Sequence, residues 1–202
     1  MNKLNQIRLD RATFLRGAIA LSAATLIGAR FATRRAQALP ATPSTVDDDD
    51  AETPAETEGP YFTPGSPENA VLVTDDMAGT RLNLSGTVID PTGAPVAAAL
   101  LDFWQANDSG EYDNTGYTLR GHQYTDANGA YALATIVPGL YPGRTRHIHV
   151  KVQRPHGRIL TTQLYFPGEP RNRTDSIFDS SLLMDVRRVG RGRRAQFRFV
   201  LG

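Results

Sequence analysis

The chain has 202 residues, enough for one well-buried domain plus a tail. It has no cysteine, which excludes a thiolate nucleophile, a Cys-ligated zinc site, an iron–sulfur cluster and any disulfide. The net charge of +1 conceals two unlike parts: residues 1–38 carry seven of the 22 basic residues and one of the 21 acidic ones, so the remainder sits near −5. Such a body is a poor match for nucleic acid or an anionic membrane.

Residues 1–38 read as an export signal. A basic region ends at Arg16, an apolar stretch runs from Gly17 to Ala29, and Ala36-Gln37-Ala38 offers a small-residue cleavage site. The apolar stretch is short for a bilayer, so no membrane span is expected after cleavage. Arg11 to Arg16 resembles a twin-arginine signal, with Ala12 where the second Arg belongs. The protein is therefore expected to be exported, to a periplasmic or extracellular space. Residues 39–56 are rich in Pro, Thr, Ala and acids, including the run Asp47–Asp50, and read as a flexible linker.

From Thr57 to Gly202 the texture is that of an all-β domain. Arg81 to Asp90 alternates apolar and polar, Pro91 to Pro95 is a turn, and Ala98 to Trp104 is a mostly apolar, central strand in which Phe103 and Trp104 are read as core. Tyr124 to Tyr131 reads as strand, tight turn, strand. His147 to Arg154, Ile159 to Phe166 and Ala195 to Leu201 alternate again. Ser176 to Met184 has room for a helical turn, and Arg187 to Arg194 reads as a basic, solvated loop. Many short strands separated by turns predict an antiparallel β-sandwich with long loops and little helix.

The chemistry concentrates around residue 147. His147 and His149 lie two apart on a strand, so both imidazoles face the same side, while Arg146 and Ile148 face the other. His122 and His156 have no such partner and read as structural and solvated. Pro138-Gly139-Leu140-Tyr141-Pro142-Gly143-Arg144 places a tyrosine on a loop at the mouth of that strand. A phenol with an ordinary pKa near 10 ionises at neutral pH when a strongly Lewis-acidic cation binds it. Phenolate oxygen with imidazole nitrogen suits ferric iron better than calcium or magnesium.

Five motifs in order then resemble the intradiol ring-cleavage dioxygenases, the family of catechol 1,2- and protocatechuate 3,4-dioxygenases. They are Thr57-Glu58-Gly59-Pro60-Tyr61-Phe62; Trp104-Gln105-Ala106-Asn107 with Gly110-Glu111-Tyr112; Thr135 to Tyr141; His147-Ile148-His149; and Leu160 to Phe166. The resemblance is to the compact secreted branch and spans Thr57 to Leu201. It implies a non-heme Fe(III) held by Tyr112, Tyr141, His147 and His149, with Tyr141 as axial ligand and base. It implies active-site roles for Arg144 and Gln163, and Tyr61 is a candidate wall of the substrate pocket. The implied substrates are a small aromatic diol and O2, and the product a cis,cis-muconate-type diacid. The family's N-terminal helical dimerisation region has no counterpart here, so a homodimer is not carried over. Two other readings compete: a non-catalytic extracellular β-sandwich binding module, which Gly86 to Val96 also resembles, and a zinc hydrolase, which no acid beside the two histidines supports.

Overall fold

The structure is a computed structural model that describes residues 51–202. The expected export signal and most of the expected linker lie outside the described residues. Eight strands form two four-stranded sheets: β1 Arg81–Ile89, β2 Leu100–Trp104, β3 Arg120–Tyr124, β4 Ala130–Ile136, β5 His147–Gln153, β6 Ile159–Tyr165, β7 Asp185–Val189 and β8 Gly192–Val200. One sheet has the order β4-β1-β8-β7 and the other β3-β2-β5-β6. Two 3-10 turns, Pro170–Arg173 and Ser180–Leu182, are the only helical pieces among the described residues. The expected sandwich is present, with one departure from antiparallel pairing among the eight strands: β1 and β8 run parallel, in register from Leu82↔Arg193 to Ile89↔Val200.

Period-2 alternation explains which residues fill the gap between the sheets. Leu82, Leu84 and Val88 of β1, Tyr131 and Leu133 of β4, and Ala195 and Phe199 of β8 face Leu101 and Phe103 of β2, Ile148, Val150 and Val152 of β5, and Leu164 of β6. Burying a side chain of this size is worth about 1.5–3 kcal/mol each, so this layer drives the fold. His147 and His149 have the opposite parity to Ile148 and Val150, which puts both on the outer face of their sheet.

Both open sides of the sandwich are closed by the chain's own early residues. Pro67 and Asn69 pair with His122 of edge strand β3, and Ala70 and Leu72 pair with Ala134 of edge strand β4. On the other side Thr53 bonds Val200 of β8, and Glu56 N–H donates to Thr161 of edge strand β6 at 2.8 Å. Residues 51–56, expected as the end of a flexible linker, are therefore partly pinned by backbone bonds. The 187–194 segment also departs from its expected loop. It is the β7–β8 hairpin, with Arg187↔Arg194 and Arg188↔Arg193 directly opposed.

Candidate active site

Register builds the site before any loop is considered. Arg120 of β3 lies opposite Trp104 of β2, Trp104 opposite His149 of β5, and His149 opposite Gln163 of β6. The next row pairs His147 with Tyr165. Directly opposed residues share a face, so these six side chains form one patch on the outer surface of the sheet. A one-residue slip of β5 would turn both histidines into the core.

The two imidazoles are held differently. His147 is buried, and its Nδ1–H donates to the Thr145 carbonyl at 2.7 Å. That bond fixes the tautomer and leaves Nε2 as the free lone pair. Burial holds His147 neutral by lowering its pKa from 6.5 to about 4. His149 is also lowered by burial, and by the neighbouring His147. Its Nδ1 is buried and makes no hydrogen bond, but its ring lies flat against Trp104, with centroids 4.7 Å apart and planes 6° from parallel. Trp104 was expected as core. It is fully buried, yet it serves as a platform for His149.

Two loops bring phenols over this patch. His147 Nε2 is 3.2 Å from His149 Nε2 and 3.2 Å from the Tyr112 hydroxyl. Tyr141 stands edge-on to Tyr112 at 6.0 Å between centroids. The loops are packed backbone against backbone. Gly139 N–H donates to the Asn107 carbonyl at 2.7 Å, and Asn107 Oδ1 accepts the N–H groups of Ser109 and Glu111. A Cβ at Gly139 would lie 2.3 Å from Gly110 N, and one at Gly110, where φ is +89°, would lie 2.4 Å from the Leu140 carbonyl oxygen. Only glycine permits this approach. The spacing of the Asn107–Tyr112 and Pro138–Tyr141 motifs is thus the geometry that sets one tyrosine beside the other.

Tyr61 joins them from the N-terminal segment. Its ring stacks on Tyr112 at 4.7 Å and its hydroxyl lies 2.9 Å from that of Tyr141. Arg120, which the sequence reading did not single out, holds this arrangement from below. Its guanidinium is buried and donates to the Asp113 carbonyl at 2.9 and 2.7 Å and to the Tyr61 carbonyl at 2.5 Å. It thereby ties the backbones carrying Tyr61 and Tyr112.

Arg144 and Gln163 are hydrogen-bonded to each other. Arg144 Nη2 donates to Gln163 Oε1 at 2.7 Å, and Gln163 Nε2 donates to the Thr57 carbonyl at 2.9 Å. Asp175, another residue not singled out, accepts from Arg144 Nε and from Thr145 N–H, both at 2.8 Å. Burial pushes the Asp175 carboxyl up, but these bonds outweigh it and hold the pKa below the usual value. Arg146 is turned away from the patch, to Glu169 and the Pro138 carbonyl. His122 is bonded to Ser66, as a structural role requires.

The donor set fits a hard, strongly Lewis-acidic metal. Two neutral imidazoles and a buried phenol converge, with a second phenol adjacent. Burial, the largest influence, pushes the Tyr112 phenol well above its ordinary pKa. It would ionise only beside a cation. Among the described residues no group of three or more His, Cys, Asp or Glu could hold a metal, so a metal at this patch would need phenol oxygen as a ligand.

A family model described as "Dioxygenase" matches residues 57–195. A hydroxyquinol 1,2-dioxygenase from a Rhizobium species is 31% identical over 166 residues, 68% of this chain and 56% of the relative. A protocatechuate 3,4-dioxygenase beta chain from Burkholderia cepacia is 35% identical over 132 residues, 56% of each chain. The chain therefore spans about half the length of these relatives. Among solved structures, the dioxygenase domain of a dioxygenase–carbohydrate-binding fusion from a cellulolytic Streptomyces is 58% identical. The match has a TM-score of 0.73 and covers 74% of this chain and 97% of that one. A 3-chlorocatechol 1,2-dioxygenase from Rhodococcus opacus is 31% identical at a TM-score of 0.69, covering 76% and 75%. With its sandwich, its ordered motifs and a family match across most of its length, the chain belongs to the intradiol ring-cleavage dioxygenases.

Proposed function

We propose that the protein is a non-heme Fe(III) dioxygenase that inserts both atoms of O2 into a catechol ring to give a cis,cis-muconate-type diacid. The observation that carries this reading is the convergence of His147, His149 and Tyr112 within 3.2 Å contacts, beside Tyr141 and the Arg144–Gln163 pair. Tyr112, Tyr141, His147 and His149 would hold the metal. Bound ferric iron supplies the Lewis acidity that ionises the phenols and makes a chelated catecholate reactive toward O2.

The chain's own groups do the rest. As the phenolate it would be beside the metal, Tyr141 is the residue placed to take a catechol proton on its oxygen, and Tyr61 offers the resulting hydroxyl a hydrogen-bond partner at 2.9 Å. Arg144 stabilises negative charge on the ring as it takes on ketone character, aimed by Asp175 and Gln163 before substrate arrives. Tyr61, stacked on Tyr112, shields one face of that ligand from water. The competing binding-module reading leaves four converging donors without a purpose. Export is part of the proposal, supported by the basic, apolar and small-residue order of residues 1–38.

The test is a visible absorption spectrum of purified protein before and after anaerobic catechol, followed by O2 uptake. A phenolate-to-iron band that moves to longer wavelength with catechol, then one O2 consumed per diacid formed, is the expected result. A protein that stays colourless after iron reconstitution overturns it.

A further inference from the structure

The basic β7–β8 hairpin plays no part in the site just described, and its charges are arranged by face. On β8, Ala195 and Phe199 point into the core, so Arg193 shares their inward side, and its opposed partner Arg188 does likewise beside Val186. Arg187 and Arg194 point outward. The core ends before Arg188 and Arg193, which therefore overhang the gap between the sheets at the open end of the sandwich. Arg146, with the parity of Ile148, enters the same gap from the other sheet.

These residues line a cleft of about 590 Å³ together with Val137, Phe166, Val186 and two carboxylates, Asp108 and Glu169. The volume suits a small organic ligand. Arg146 is already satisfied by Glu169 and the Pro138 carbonyl. Arg188 and Arg193 have no carboxylate at ion-pair distance among the described residues, and Arg188 bonds only the Gly190 carbonyl. Like charges directly opposed across a hairpin are destabilising. Two arginines on directly opposed residues of the hairpin, neither paired with a carboxylate, make a fork for a carboxylate in this largely polar cleft.

We propose that this cleft binds a small carboxylate through Arg188 and Arg193, at a site separate from the metal-facing surface. His147 and His149 lie on the opposite face of their sheet, so occupancy of the cleft does not require access to the metal site.

The experiment is isothermal titration of the iron-loaded full chain with benzoate and with adipate, a ring acid and an open-chain diacid. Saturable binding of at least one probe is expected. The R188A/R193A variant should weaken it at least about tenfold, and R187A/R194A, with the same change in net charge, less than about twofold. Saturation by benzoate alone assigns ring acids, and by adipate alone chain diacids; either supports the site. Melting temperatures establish that both variants are folded. No saturable binding by either probe overturns the proposal, as does equal weakening by the two double variants, which would reduce the effect to bulk charge.

Discussion

Replacing Asp175 by Asn tests how the proposed active-site arginine is aimed. Asp175 Oδ2 accepts from Arg144 Nε and Thr145 N–H, and Oδ1 from Ile177 N–H at 3.2 Å. Its side chain is 2% exposed and that of Arg144 20%. An asparagine keeps the shape but has one acceptor for three donors. If its oxygen takes the Oδ2 position, its NH2 faces the Ile177 N–H. Charged hydrogen bonds contribute about 1.5–3 kcal/mol each, and removing one partner of a buried pair costs about 3–5 kcal/mol. The partial exposure of Arg144 lowers this, so about 3 kcal/mol is expected. For a domain of this size that is a fall in melting temperature of about 6–12 °C. Arg144 keeps Gln163 but its bond to residue 175 is no longer charged, so kcat/KM for catechol should drop by at least about tenfold, mainly in kcat. Thermal melts and steady-state O2 uptake measure the two effects. A melting temperature within about 1 °C of the parent together with unchanged kcat/KM would refute the positioning argument.

The other predictions concern the ligand surface. Tyr141→Phe should change the visible band and slow turnover; the same colour and rate would sink Tyr141 as a metal ligand. Trp104→Leu removes the plate under His149 and a fully buried ring, so iron content after dialysis against a chelator should fall below that of the parent, while a Trp104→Phe variant should retain more. Gly139→Ala pushes the Tyr141 loop off the Tyr112 loop and should abolish the band while far-ultraviolet dichroism still reports the sheets. Metal-free protein should lose stability in acid. His147 is held at about 4 when folded against 6.5 when unfolded, so its contribution is whole above pH 6.5 and lost as pH falls toward 4. That amounts to about 3 kcal/mol, read from urea midpoints at several pH values.

Alternation made most strands legible in advance: the expected Arg81–Asp90, His147–Arg154 and Ile159–Phe166 lie within a residue of β1, β5 and β6. It failed at β7, because an exposed edge strand carrying Arg187 and Arg188 has no apolar face to reveal it. The parallel pairing of β1 with β8 joins segments about 110 residues apart, and no local pattern encodes it. At the site, His147 and His149 announced a shared face by spacing alone. Tyr112 was reachable only through family motifs, since its proximity to His147 depends on how two loops pack. Asp175 and Arg120 gave no signal. Each acts on backbone or side-chain groups distant in sequence, and a lone Asp in a loop or Arg in a strand looks like ordinary solvated charge. The Trp104 indole was legible as buried but not as a ring against His149, because that contact follows from register.

The clip from Thr53 and Glu56 onto β8 and β6 bears on when the protein can fold during its own synthesis. The first described residues need Val200 as a partner, and β1 needs the whole of β8 beside it. Neither is available until Val200 has left the ribosome. Loop-closure entropy on this scale makes folding slow and late. Until then β1 has an unpaired edge and the histidine strand lacks a finished sheet behind it. Capture of the proposed metal is therefore expected to follow synthesis of β8 rather than precede it.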